Sequence, residues 1–183
     1  MKREASTYDA EAGNALERTL LAKWRASLSD SDILTDTLVS QHDVLDLYPR
    51  EWGMRAPRVY HAECRQLVEY PDAWCRTVAD ERLVVNAKCT RDYKAEVSPV
   101  AWIQMQAELA VTRADAGLVV YGQKWIADYI SGPPEERGPI DVFRIDPDAR
   151  AQAAIVQVVR EAWQRVSVLR EMEAEQTKGA VAA

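Results

Sequence analysis

Two short apolar runs, Leu83-Val84-Val85 and Leu118-Val119-Val120-Tyr121, flank a segment that opens with Ser98-Pro99. Runs this short and rich in β-branched residues mark strands. Serine before proline is a helix cap followed by the imino acid at the first helical position, and Trp102, Met105 and Leu109 then recur along one helix face. Strand signals on both sides of such a helix require a sheet with a helix laid against it. The rest of the chain continues the alternation. Leu16, Leu20, Trp24 and Leu28 recur every four residues, with Leu21 widening the stripe, so residues 7–28 read as a helix. Residues 29–56 are polar and read as an irregular or partly helical connection. Residues 58–69 read as one extended strand or two short ones, ended by Pro71. Val78–Glu81 reads as a hairpin turn into the Leu83 run. Trp125–Ile130 is a candidate partner for the Leu118 run, and residues 131–139 are a loop. Ile140–Ile145 alternates as an edge strand does, and Asp146-Pro147 opens a last helix to about Glu175. That helix is expected to turn Ile155, Val159, Ala162, Val166 and Leu169 inward and to leave residues 176–183 as a tail. The expected fold is α/β, a central mixed sheet flanked by helices. It is expected to form a single domain over residues 1–183, with its core between about 7 and 170.

Composition narrows the class. Hydrophobic residues at 48% and charged residues at 28% suit a chain that buries a core. No apolar run reaches the roughly 18 residues of a membrane span, and the opening MKREASTYDAEAG lacks a signal peptide's apolar centre. A cytoplasmic location with no membrane contact is therefore expected. Cys64, Cys75 and Cys89 then read as reduced thiols, and His42 and His61 stand at no zinc-ligand spacing from them. A net charge of −6 weighs against broad phosphate binding, which needs Lys and Arg. A bound cation or a basic cluster on one face would supply the missing positive charge locally.

One constellation carries chemistry. Pro71-Asp72 is followed, after thirteen residues, by Asn86-Ala87-Lys88. A hairpin between them sets Asp72 beside the second strand, where residues 86 and 88 share a face. Oxygens from Asp72, Asn86 and the Ala87 carbonyl suit one Mg²⁺ or Mn²⁺. Lys88 would stand beside the attacking water and offset phosphate charge. Glu17 lies on the apolar stripe of the first helix, at offsets of four, seven and eleven from Leu21, Trp24 and Leu28. A carboxylate there needs a partner, because an unpaired buried charge is costly.

Three segments in order resemble the PD-(D/E)XK nuclease superfamily, and within it the YqaJ and phage lambda exonuclease-like recombination nucleases. Gly13-Asn-Ala-Leu-Glu17 is similar to that family's Gly-x-x-x-Glu helix. Pro71-Asp72 with Asn86-Ala87-Lys88-Cys89 is similar to its hairpin motif, and Gln104-Met-Gln106-Ala-Glu-Leu-Ala-Val-Thr112 to its Gln-x-Gln helix. The resemblance implies a metal-dependent DNA exonuclease of the phage recombination type. Asp72 would be the central metal ligand, Lys88 the catalytic lysine, Glu17 an outer ligand and Gln104 a contact to the water or phosphate. It further implies Mg²⁺ or Mn²⁺, a double-stranded DNA end as substrate, a single-strand annealing partner and a ring-shaped homo-oligomer.

Position 86 departs from the pattern, which has Glu or Asp there. Three readings remain open. The chain is an inactive relative; the carboxylate has moved, with Glu108 one turn after Gln104 as the candidate; or a native acid was replaced by its amide. Two functional alternatives stand beside the nuclease: a catalytically dead nuclease fold that binds DNA or protein, and a helical interaction protein whose motifs match by chance. Each residue also has a plainer reading. Asp72 is ordinary turn chemistry after proline, Lys88 a solubilising edge charge, and Glu17, Gln104 and Gln106 solvated helix residues. Cys89 reads as a small core residue, and Trp24, Trp102, Trp125 and Trp163 read as packing.

Overall fold

The computed structural model describes residues 17–28, 32–41, 43, 58–90, 96–123 and 140–181. Gly13, His42, Trp125–Ile130 and the 131–139 loop lie outside the described residues.

Helix α1 is described over residues 17–26. Strand β1 spans Ile33–Ser40, and β2 (Val59–Tyr60) pairs antiparallel with β3 (Val68–Glu69) in a small two-stranded sheet. Then follow β4 (Ala73–Thr77), β5 (Arg82–Thr90), helix α2 (Pro99–Thr112), β6 (Ala116–Gln123), β7 (Asp141–Ile145) and helix α3 (Ala149–Val181). The main sheet has the order β1-β4-β5-β6-β7. Its β5–β6 pair is parallel, with α2 as the connecting helix, and its other pairs are antiparallel. The architecture is thus α/β, a five-stranded mixed sheet flanked by helices.

Alternation along β5 sorts the core into two layers. Leu83, Val85 and Ala87 join Leu20, Leu21, Trp24 and Leu28 on one side, together with Cys75 of β4 and Leu118 and Val120 of β6. Val84 faces the other way and joins Ala101, Met105 and Leu109 of α2, with Val119 and Tyr121 of β6. Ser98 caps α2 by accepting the Ala101 N–H, Pro99 sits in its first turn, and Arg113 closes it in the left-handed conformation. Gly117 lets this helix lie against β6, since a Cβ there would collide with Met105 Sδ, which is itself fully buried. A third cluster, Cys64, Leu67, Ala107 and Val111, seats the β2–β3 segment and Ile155, Val156 and Val159 of α3 on the outer side of α2.

Gln106 fastens that layer. Its Nε2 donates to the Asp146 carbonyl, and its Oε1 accepts from the Asp148 N–H and from Gln152 Nε2. It is fully buried, so it is a latch between α2 and the start of α3 rather than a solvated residue.

The structure corrects several expectations. Residues 33–40 of the supposed connection form β1, an edge strand that buries only Leu38. Its polar centre hides the strand in sequence. Where the register shifts between Leu34 and Val39, the Thr37 hydroxyl accepts the Arg76 N–H in place of a backbone partner. Of the two readings open for residues 58–69, the structure has the two short strands. Helix α3 continues through Val181 instead of ending near Glu175, since one Gly179 costs too little propensity to stop it. Ala162, Val166 and Leu169 do not face inward, and Trp163 is 42% exposed rather than packed. The cause is length. Thirty-three residues reach about 50 Å, whereas α2, on which α3 rests, has fourteen. Ile140–Ile145 is at the sheet edge as expected, and the turn after Thr77 joins β4 to β5. Cys64 and Cys75 are buried free thiols, and burial pushes the Cys75 thiol up to about 12. Cys89 packs against the α1-side core. Among the described residues, no helix is long and apolar enough to cross a membrane.

A candidate carboxylate–lysine site where the central strands end

Asp72 stands one residue before β4. Its N–H donates to the Val85 carbonyl, and since Ala73 pairs with Val85, the next step of the register sets Asp72 opposite Asn86. It is 7% exposed and fixed at both oxygens. Oδ2 accepts the Ala87 N–H at 2.7 Å, and Oδ1 accepts from Gln41 Nε2 at 2.9 Å. Gln41 follows directly on β1 and also donates its backbone N–H to the Asp72 carbonyl. Desolvation pushes the Asp72 carboxyl up to about 6, outweighing the Ala87 N–H and the Lys88 charge.

Asn86 and Lys88 share the α2 face of β5. Lys88 Nζ donates to Gln104 Oε1 at 2.9 Å, and Gln104 Nε2 donates to Glu108 Oε1 at 3.1 Å. Asn86 Nδ2 donates to that same oxygen at 2.6 Å. The four side chains thus form a continuous chain from β5 to one face of α2. Glu108 is 0% exposed and Asn86 3% exposed. Burial, the Asp72 charge and the Glu69 charge raise the Glu108 carboxyl to about 8, against the opposing pull of Lys88 and the Gln104 hydrogen bond. Glu17 on α1 is half-buried. Desolvation and then repulsion from Asp72 raise it to about 7, with Lys88 opposing. Glu69 on β3 is raised by desolvation and lowered by Lys88.

Residues separated by up to 91 positions thus converge. The structure brings together Glu17, Asp72, Asn86, Lys88, Gln104 and Glu108, with Ala87 serving through its N–H to Asp72. Gln106 points elsewhere, to the latch described above. Gln41 and Glu69 belong to the neighbourhood and were not found from sequence. Gln41 reaches Asp72 only because β1 runs beside β4, and Glu69 lies in a stretch whose strand boundaries the sequence leaves open.

Four carboxylates surround one lysine in a largely dry place, an arrangement that is unfavourable unless protons or a cation balance it. Asn86 Oδ1 and Glu108 Oε2 are buried and accept no hydrogen bond. Buried acceptors are nearly always satisfied, and hard divalent cations take oxygen ligands. The donor set therefore fits such an ion. Among the described residues, no three His, Cys, Asp or Glu side chains are already gathered at one ligand site.

The five-stranded mixed sheet flanked by helices is a fold that this chain shares with a solved exonuclease. The chain is similar in structure to an alkaline exonuclease (LHK-Exo) from Laribacter hongkongensis, with a TM-score of 0.59 and 16% identity over 95% of this chain and 75% of that one. The protein SSO0001 overlaps 55% of this chain and 40% of its own at a TM-score of 0.36 and 20% identity, too low to bear on the fold. No family model matches the chain, and no curated protein matches it in sequence.

Proposed function

We propose that this chain is a divalent-metal-dependent deoxyribonuclease that acts as an exonuclease on duplex DNA ends. The observation that carries the reading is the convergence of Glu17, Asp72, Asn86, Lys88 and Gln104 from α1, the start of β4, β5 and α2 on one partly buried site. The name and shared fold of the solved alkaline exonuclease support it. Asp72, Asn86, the Ala87 carbonyl and Glu17 would hold Mg²⁺ or Mn²⁺, which supplies positive charge for phosphodiester hydrolysis and lowers the pKa of water. Asp72 arrives oriented, since the Ala87 N–H and the Gln41 amide fix both of its oxygens. Lys88 brings the ammonium that offsets phosphate charge. Gln104 positions it, since its Oε1 accepts from Nζ while its amide is anchored on Glu108. The single-strand annealing partner and the ring-shaped assembly rest on the sequence resemblance alone.

Digestion of an end-labelled linear duplex tests the reading. Cleavage should require Mg²⁺ or Mn²⁺, stop in EDTA, and fall by at least about 10²-fold in Asp72→Asn, as removal of a preorganised charged group does. Cleavage that persists in EDTA, or that Asp72→Asn leaves intact, overturns it. The neutral Asn86 favours a second reading, a nuclease fold that binds DNA without cutting. Mn²⁺ binding with no cleavage under any condition would select that one.

A further inference from the structure

From the Asn86–Glu108 pair we infer that Glu108 is a metal ligand of this site and carries the negative charge that position 86 lacks. The inference rests on the nuclease reading above and deepens it. Asn86 alone cannot give the site a third charge, because its amide is neutral. Its Nδ2 donates to Glu108 Oε1 at 2.6 Å. An amide that donates through nitrogen turns its oxygen the other way, and Asn86 Oδ1 is one of two buried side-chain oxygens without a partner among the described residues. Glu108 Oε2 is the other. Glu108 Oε1 already accepts two amide donors, from Asn86 and Gln104. Those donors fix the carboxyl plane and leave Oε2 committed to nothing. A residue kept only for packing would not leave a fully buried carboxylate oxygen bare, since an unsatisfied buried acceptor is destabilising.

The pair therefore acts as one acid divided between two elements. The strand supplies a neutral oxygen, the helix supplies the charge, and a hydrogen bond holds the two in register. Position 108 lies one turn beyond Gln104 on α2, so the residue that anchors Lys88 and the residue that binds the cation share a helix face. The same geometry makes Glu108 unfavourable in the absence of a cation, because a buried carboxyl beside other carboxylates has no compensating positive partner of its own.

Isothermal titration of the folded protein with Mn²⁺, paired with melting in EDTA, tests this without relying on activity. Glu108→Gln keeps the size and removes the charge. It should weaken Mn²⁺ binding by roughly tenfold or more, the effect of losing one close charge at an effective dielectric of about 20, yet melt in EDTA at the same or a higher temperature. A purely structural Glu108 would show the opposite, lower melting with unchanged affinity. The double variant Asn86→Asp with Glu108→Gln moves the charge back to the strand and preserves the amide–carboxylate hydrogen bond, so it should regain most of the lost affinity. Should Glu108→Gln fail to fold, Glu108→Asp, which keeps the charge but withdraws it by one methylene, should still bind Mn²⁺ more weakly than the parent. Equal affinity in the parent and in a folded Glu108 variant overturns this inference and leaves the nuclease reading standing. A parent chain that binds no Mn²⁺ overturns both.

Discussion

Lys88 is the charge on which the site turns at residue scale. It lowers the proton affinity of Glu17, Glu69, Asp72 and Glu108 alike. Lys88→Met should therefore cut DNA cleavage by about 10²-fold or more. A variant with full activity would remove Lys88 from the chemistry. The carboxyls make a second prediction. Asp72 near 6, Glu17 near 7 and Glu108 near 8 all sit above their ordinary values of 3.8, 4.5 and 4.5. The folded chain then keeps protons that the unfolded chain has released, so this contribution to stability is present below about pH 4 and is lost as pH rises through 6 to 8. Each tenfold difference in proton affinity is worth about 1.4 kcal/mol. The metal-free protein should melt at a higher temperature near pH 5 than near pH 8.5, and Mn²⁺ should recover part of the loss at the higher pH. Melting curves in EDTA that rise from pH 5 to pH 8.5 would contradict the buried cluster.

At the scale of elements, the site depends on α2 lying close enough to β5 and β6 for Gln104 and Glu108 to reach Lys88 and Asn86. Gly117 sets that spacing, because Met105 fills the space a side chain would take. Gly117→Ala should cost about 1–3 kcal/mol by overpacking, and at the same time reduce Mn²⁺ affinity by shifting the α2 face. Chemical denaturation together with Mn²⁺ titration would show both changes, and a variant as stable and as tight-binding as the parent would show that α2 can adjust freely. Much of this was legible beforehand. Ser98-Pro99 and the Met105 stripe declare α2, and the apolar run Leu83-Val84-Val85 declares β5, because each signal is local. Strand β1 was not legible. Its Thr and Asp residues read as loop, and it becomes a strand only by pairing with β4, which no local pattern reveals. Gln41 was missed with it, as the position that follows directly on β1. The overhang of α3 escaped for a similar reason, since its apolar spacing continues past the surface available to receive it.

Across the whole molecule, the sheet order β1-β4-β5-β6-β7 gathers residues that the sequence spreads from Glu17 to Glu108. Two helices and the starts and ends of strands meet there, while α3 and the Gln106 latch brace α2 from outside. Under the proposed function, a net charge of −6 leaves a bound cation rather than a broad basic surface to meet phosphate charge. The central claim is that one divalent cation binds among Asp72, Asn86, the Ala87 carbonyl, Glu17 and Glu108, beside Lys88. An anomalous difference map from a crystal soaked in Mn²⁺ measures this directly. The expected result is a peak at about 2.1 Å from carboxylate oxygens of Asp72 and Glu108, the distance of compact octahedral coordination, with Lys88 Nζ alongside. A peak bound by other residues, or no peak at these oxygens at saturating Mn²⁺, would contradict it.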